Sequence, residues 1–78
     1  MEELVRSIVT ALVDTPDKVT VTSTQKPEGT LLTVSVDPRD AGLIIGKRGY
    51  VIRSIRQLAS VIANRLNSRV FVDIVPLE

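Results

Sequence analysis

Neither cysteine nor histidine occurs among the 78 residues of this chain, and that double absence sets the terms on which it can fold. No disulfide closes a loop, and no zinc site of the Cys/His kind staples a small core. A chain this short buries only about 60% of the surface its unfolded form exposes, so packing alone must hold it. The same absence removes the commonest general base, the commonest metal ligand and every Ser-His or Cys-His arrangement. A hydrophobic share of 44% against 24% charged residues is a globular balance, not a disordered one. Tyr50 and Phe71 are the only aromatic residues, too few for the stacking platforms of many small nucleic-acid binders. Met1-Glu2-Glu3-Leu4 is acidic where a secretory leader would be basic, and no apolar run approaches a membrane span. The expectation is a small soluble cytoplasmic domain that is not an enzyme and carries no cofactor or metal.

Apolar residues at Leu4, Val5, Ile8, Val9, Ala11 and Leu12 recur at helical spacing, and Glu2 and Glu3 suit the positive end of the dipole, which predicts a helix over 2–14. Asp14-Thr15-Pro16-Asp17 ends it. Two alternating, β-branched runs follow, at 19–24 and 31–36, separated by the turn composition Gln25-Lys26-Pro27-Glu28-Gly29. This predicts a hairpin. Asp37-Pro38-Arg39-Asp40 breaks the second strand and offers a helix start. A short helical segment from Ala41 to Ile45 precedes Gly46-Lys47-Arg48-Gly49. A long helix then runs from about Tyr50 to Leu66, its apolar stripe being Val51, Ile52, Ile55, Leu58, Ala59, Ile62 and Leu66. Arg53, Arg56, Gln57, Ser60 and Asn64 fall on the other side. Asn67-Ser68 stops the helix, and 69–75 reads as a last strand ending before Pro76. The order α-β-β-α-α-β is an α+β arrangement with three helices on one face of a three-stranded sheet. The Thr- and Ser-rich other face is left to solvent.

The net charge of +1 conceals a split. Between Arg39 and Arg69 seven basic residues face the single acid Asp40, while the rest of the chain holds three basic residues and eight acids. Such polarity prepares one face for an anion. The two glycines of Gly46-Lys47-Arg48-Gly49 are explained by a tight helix-to-helix turn. The adjacent Lys47 and Arg48 are not, because they repel each other with nothing acidic beside them. Arg53 and Arg56 add to the field, and the loop precedes a helix N-terminus that favours anions. Glycines let a phosphate approach the backbone, and the two cations complete its neutralisation. A nucleotide-hydrolysing P-loop does not fit: only three residues separate Gly42 from Gly46, and Arg48 stands where a metal-holding Ser or Thr is needed. Gly42 and Gly46 also spell a small-xxx-small pair, with no membrane-length apolar span around it.

The segment Leu43-Ile44-Ile45-Gly46-Lys47-Arg48-Gly49 resembles the I-I-G-x-x-G signature of the KH domain, and the element order resembles its type II, bacterial variant. The resemblance covers essentially the whole chain, 1–78, with a core of about 30–75 and an N-terminal α-β extension of about 2–25. Leu12-Val13-Asp14-Thr15-Pro16 followed by Val19-Thr20-Val21 is similar to the small single-KH-domain bacterial RNA-binding proteins of the KhpA or YlqC family. The resemblance implies that the GxxG backbone grips the phosphates of about four single-stranded nucleotides while their bases lie in an adjoining apolar groove. Carried over, the RNA-binding residues are Gly46, Lys47, Arg48 and Gly49 in the loop, Ile44 and Ile45 in the groove floor, and Arg53 as a phosphate contact one turn into the helix. Val34 and Val36 are further floor candidates, Ile52 and Ile55 belong to the core, and Arg56 and Arg39 stay open between RNA contact and solvated surface.

This reading makes the chain a post-transcriptional regulator or RNA chaperone. The competing reading is assembly, through the Val61-Ile62-Leu66 side of the long helix or the free sheet face, since association would supply burial that a small domain lacks. The resemblance adds self-association as a homodimer and pairing with a second KH-containing protein of the Jag type. The two are compatible, because a dimer joins two weak sites. An enzyme is disfavoured, with no paired carboxylates near the basic loop.

Overall fold

The computed structural model describes residues 1–77. Helix α1 (Glu2–Leu12) buries Val5 and Val9, one turn apart, and carries Glu2 and Glu3 in its first turn. It stops two residues before the expected end, because Val13 turns to extended backbone and buries its side chain on the way to Pro16. A short 3-10 turn (Pro16–Lys18) leads into β1 (Thr20–Lys26), which pairs antiparallel with β2 (Gly29–Val36). The hairpin is tighter than its composition suggests: Lys26 faces Gly29 in the ladder, so only Pro27 and Glu28 lie at the tip.

After β2, Asp37 caps a second 3-10 turn (Pro38–Asp40) by accepting the N–H of Arg39 at 2.9 Å. Helix α2 (Ala41–Ile45), the Gly46–Gly49 turn and helix α3 (Tyr50–Arg65) follow, and β3 (Val70–Pro76) completes a sheet of order β1-β2-β3. Strands β2 and β3 are parallel, so the two helices between them form the crossover such a pair requires. Asp40, only 3% exposed, accepts the N–H of Thr15 at 3.0 Å and thereby ties the exit of α1 to the start of α2.

Alternation along the strands sorts the sheet into two faces. Val21, Leu32, Val34, Val36 and Val72 point toward the helices and join Val5, Val9, Ile44, Ile52, Ile55 and Ala59 in one core. Thr20, Thr22, Thr24, Phe71 and Asp73 lie on the exposed face, as the Thr-rich alternation predicts. The α3 stripe is rotated from the expected one. Ile52, Ile55, Ala59 and Ala63 are buried, whereas Leu58 and Leu66 are 47% and 70% exposed. The small side chains at Ala59 and Ala63 set the line along which the helix can approach the sheet, which leaves Leu58 beyond its reach.

Strand β3 runs through Pro76 instead of ending before it. The Val72 carbonyl points away from β2, where Arg56 Nε donates to it at 2.8 Å. Residues of the same parity, Val70, Ile74 and Pro76, turn their main-chain groups the same way. A proline there forfeits no ladder bond on an edge strand. Leu77, of opposite parity, donates its N–H to the Val36 carbonyl at 2.7 Å. No helix among the described residues is long and apolar enough to cross a membrane.

Candidate nucleic-acid interface

The turn between α2 and α3 is closed by the Gly49 N–H donating to the Gly46 carbonyl at 3.2 Å, with Lys47 and Arg48 at its tip. Gly46 adopts φ 75°, ψ 179°, a region essentially reserved for glycine. A Cβ there would stand 2.4 Å from Val51 Cγ2. Gly49 takes φ 73° in the left-handed region and caps α3. Between them Arg48 is also left-handed, at φ 55°, ψ 28°, a conformation that costs a residue with a Cβ about 1 kcal/mol or more. A third glycine would relieve it, yet the position holds a cation. Backbone strain of this kind clusters at functional sites.

Arg53 braces the loop. Its Nη1 donates to the Arg48 carbonyl at 2.8 Å, and its guanidinium stands 5.7 Å from the centroid of the Tyr50 ring. One donor of the fork is thereby used, and the guanidinium makes no other hydrogen bond among the described residues. Lys47, Arg48 and Arg53 are exposed and have no ion-pair partner among the described residues. Arg39 differs: its fork closes on Asp37, with Nε and Nη2 at 3.2 and 3.1 Å from the carboxylate. That hydrogen bond lowers the Asp37 carboxyl below its ordinary value and raises Arg39. Arg56 lies 3.5 Å from Asp73 besides its bond to Val72. Both open candidates are therefore partly committed within the fold.

Arg53, Arg56, Ser60 and Asn64 follow each other at steps of three and four and share one face of α3. Against the middle of that face lies edge strand β3, and a cleft of about 390 Å³ opens between Arg56 and Ser60 on one side and Val70, Phe71, Val72 and Asp73 on the other. Phe71, 44% exposed, stands at this wall. Nothing local in the sequence marks β3 as a wall, because that follows from its parallel pairing with β2 alone.

The Ile-Ile lead-in divides. Ile45 is 44% exposed, while Ile44 is fully buried in the core, as are Val34 and Val36. Adjacent helical residues point about 100° apart, so Ile44 and Ile45 do not share one floor. This corrects the expectation for Ile44, Val34 and Val36: they support the surface from beneath and offer a ligand no contact. Ile52 and Ile55 are core residues, as expected. No group of His, Cys, Asp or Glu among the described residues is arranged to hold a metal.

Residues 2–74 match the model of the KhpA/KhpB KH domain. The RNA-binding protein KhpA of Caldanaerobacter subterraneus is 39% identical over 75 residues, covering 96% of this chain and 100% of that protein. Its namesake from Clostridium acetobutylicum is 36% identical with the same coverage, and that of Aquifex aeolicus is 31% identical over 95% of this chain and 94% of its own. Among solved structures, Aquifex aeolicus Era Y63A bound to GDP.AlF4- superposes on 96% of this chain with a TM-score of 0.63 at 20% identity, through 29% of its own length, which speaks to the fold alone. The α+β, KH-like architecture agrees with these matches. The chain belongs to the KhpA/KhpB family of KH domains.

Proposed function

We propose that the chain acts as a single KH domain that binds short single-stranded RNA, with the Gly46–Gly49 loop on the phosphates and the α3–β3 cleft receiving bases. The observation that carries this is the strained cation pair at the loop tip, which has no ion-pair partner among the described residues and is held at the N-terminal end of α3 beside Arg53. Gly46, Lys47, Arg48, Gly49 and Arg53 are the phosphate group of the site. Ile45, Arg56 and Phe71 border the surface where bases lie. A site so short and so poor in aromatics binds weakly and with little base preference. That suits a cytoplasmic post-transcriptional regulator or RNA chaperone, and the names of the relatives, RNA-binding protein KhpA, support the substrate class.

The test is anisotropy of labelled single-stranded RNA with wild type and the Lys47→Asp/Arg48→Asp variant at two salt concentrations. Binding that weakens with salt and vanishes in a variant of unchanged melting temperature supports the reading. Equal binding by the variant refutes it. With three or four phosphates neutralised, the salt slope is expected at roughly −2 to −3.

A second copy of the chain is the other partner that an observation favours. Leu58 and Val61 are 47% and 54% exposed on α3, next to an apolar cleft of about 370 Å³ whose lining includes Ile8 of α1 and Tyr50 and Leu58 of α3. A homodimer on this face, or pairing there with a Jag-type KH protein, would cover it and couple two weak RNA sites. Light scattering over a concentration series tests self-association: Leu58→Lys is expected to shift the chain toward monomer. A wild type that is monomeric at tens of micromolar counts against an obligate dimer.

A further inference from the structure

The α3–β3 cleft does not end at its last apolar residue. It shares Ser60, Val70 and Phe71 with a second hollow of about 320 Å³, which in turn shares Asn64, Ser68 and Arg69 with a basin of about 440 Å³. The three hollows follow one another along α3 and β3, from Arg56 to the tip of the β1–β2 hairpin. The far basin is walled by that tip and by the corner joining α3 to β3.

The wall is built to hold its shape. The Thr30 N–H donates to the Arg69 carbonyl at 2.9 Å, and Gly29, at φ 145°, comes so near that a Cβ would stand 2.7 Å from the same oxygen. On the other side, α3 ends in a Schellman motif. The Ser68 N–H donates to the Ala63 carbonyl at 2.9 Å and the Asn67 N–H to the Asn64 carbonyl at 3.1 Å, with Asn67 left-handed at φ 54°. Glycine is the usual residue there. An asparagine puts an amide at the basin rim, where Asn64 supplies another.

The basin is also charged in the sense a phosphate needs. Lys26 and Arg69 line it and have no ion-pair partner among the described residues, against the single acid Glu28. Side-chain amides offer paired donors and acceptors to base edges, and cations on a preformed wall suit the backbone.

Resting on the RNA-binding reading above, we infer that the basin of Lys26, Asn64, Asn67 and Arg69 is a second RNA subsite, which takes a strand onward after it leaves the α3–β3 cleft. The functional footprint then exceeds the four nucleotides that a GxxG groove holds. An acidic peptide could meet the same cations, but the adjoining hollows that lead from the cleft favour a strand bound there.

The experiment compares four- and eight-nucleotide single-stranded RNAs on wild type, Lys26→Gln/Arg69→Gln and Asn67→Gly. Wild type is expected to prefer the longer strand by more than the about fivefold gain that extra registers of a four-nucleotide site supply. The charge variant is expected to lose roughly three- to tenfold on the eight-mer, with its salt slope shallower by about 0.7 for each phosphate contact removed. It should bind the four-mer unchanged. Asn67→Gly keeps the left-handed cap, so a lower eight-mer affinity at an undiminished melting temperature assigns the effect to the amide. Unchanged eight-mer binding, or equal loss on both lengths, overturns the subsite and leaves the loop reading intact. Absence of wild-type binding to either RNA defeats the loop reading first and the subsite with it. Loss of binding to an acidic peptide, with eight-mer binding untouched, would give the basin to a protein partner instead.

Discussion

Arg53 reaches back from the first turn of α3 to the backbone carbonyl of Arg48, Nη1 to oxygen at 2.8 Å. The contact fixes the residue at the strained tip of the loop, so one cation positions another. Arg53→Ala removes a charge and the brace together, whereas Arg53→Lys keeps the charge and loses the planar fork. A hydrogen bond of this kind contributes about 0.5–1.5 kcal/mol net, equivalent to roughly two- to tenfold in affinity. Both variants are therefore expected to bind RNA more weakly, alanine more so. Lysine should retain most of the wild-type salt slope. Full affinity in Arg53→Lys would show that only the charge matters.

The glycines of this region differ in what they tolerate. At Gly46 a methyl group meets Val51 Cγ2 at 2.4 Å in backbone closed to L residues, at Gly49 it meets only Arg53 Nη1 at 3.5 Å, and at Gly42 it meets nothing within 4 Å. Gly46→Ala should destabilise by about 2–3 kcal/mol or fail to fold. Gly49→Ala is expected to cost about 1 kcal/mol, from backbone strain alone. Gly42→Ala, inside α2, should stabilise by about 0.4–1 kcal/mol. Thermal melts of the three variants check the order, with about 4–8 °C expected per kcal/mol in a domain of this size. A Gly42→Ala as harmful as Gly46→Ala would mean that the loop geometry is misread.

The difference between these glycines also shows what the sequence could reveal. Turn chemistry and periodicity are local, so the element order, the hairpin, the Gly46–Gly49 turn and its cations were all legible. Gly42 and Gly46 look alike in sequence, and the positive φ of Gly46 and the packing of Val51 against it separate them. The cleft was not legible for the same reason. Phe71 and Val72 become its wall because β3 pairs parallel to β2 at the sheet edge, a register set by contacts some forty residues apart along the chain. Ile44 and Ile45 form one motif in sequence and two environments in space. Leu58 matched the apolar stripe, but α3 meets the sheet along Ile52, Ile55, Ala59 and Ala63, which turns Leu58 outward.

Arg48 sets stability against binding. Its φ of 55° is one that glycine adopts freely, so Arg48→Gly should raise stability by up to about 1 kcal/mol. The same change removes a loop cation and is expected to reduce RNA affinity roughly three- to tenfold. Melting and anisotropy on one preparation test both halves. Weaker binding with lower stability would make Arg48 a structural residue, and unchanged binding would remove it from the site.

Acid should find the Asp37–Arg39 pair. The Arg39 fork and N–H hold the Asp37 carboxyl below its ordinary value of 3.8. The folded state thus favours the charged carboxylate. Its contribution is fully present above the ordinary value and is lost as pH falls through the lowered folded one. Asp37→Asn keeps a capping side chain but removes the charge. It should melt slightly below wild type at neutral pH, and the gap should close on acidification past that window. Direct NMR titration of Asp37 is expected to give a midpoint below 3.8 in wild type and a higher one in Arg39→Ala. A midpoint that does not move when Arg39 is removed would show that the fork, though well formed at 3.1 Å, is electrostatically idle in solution.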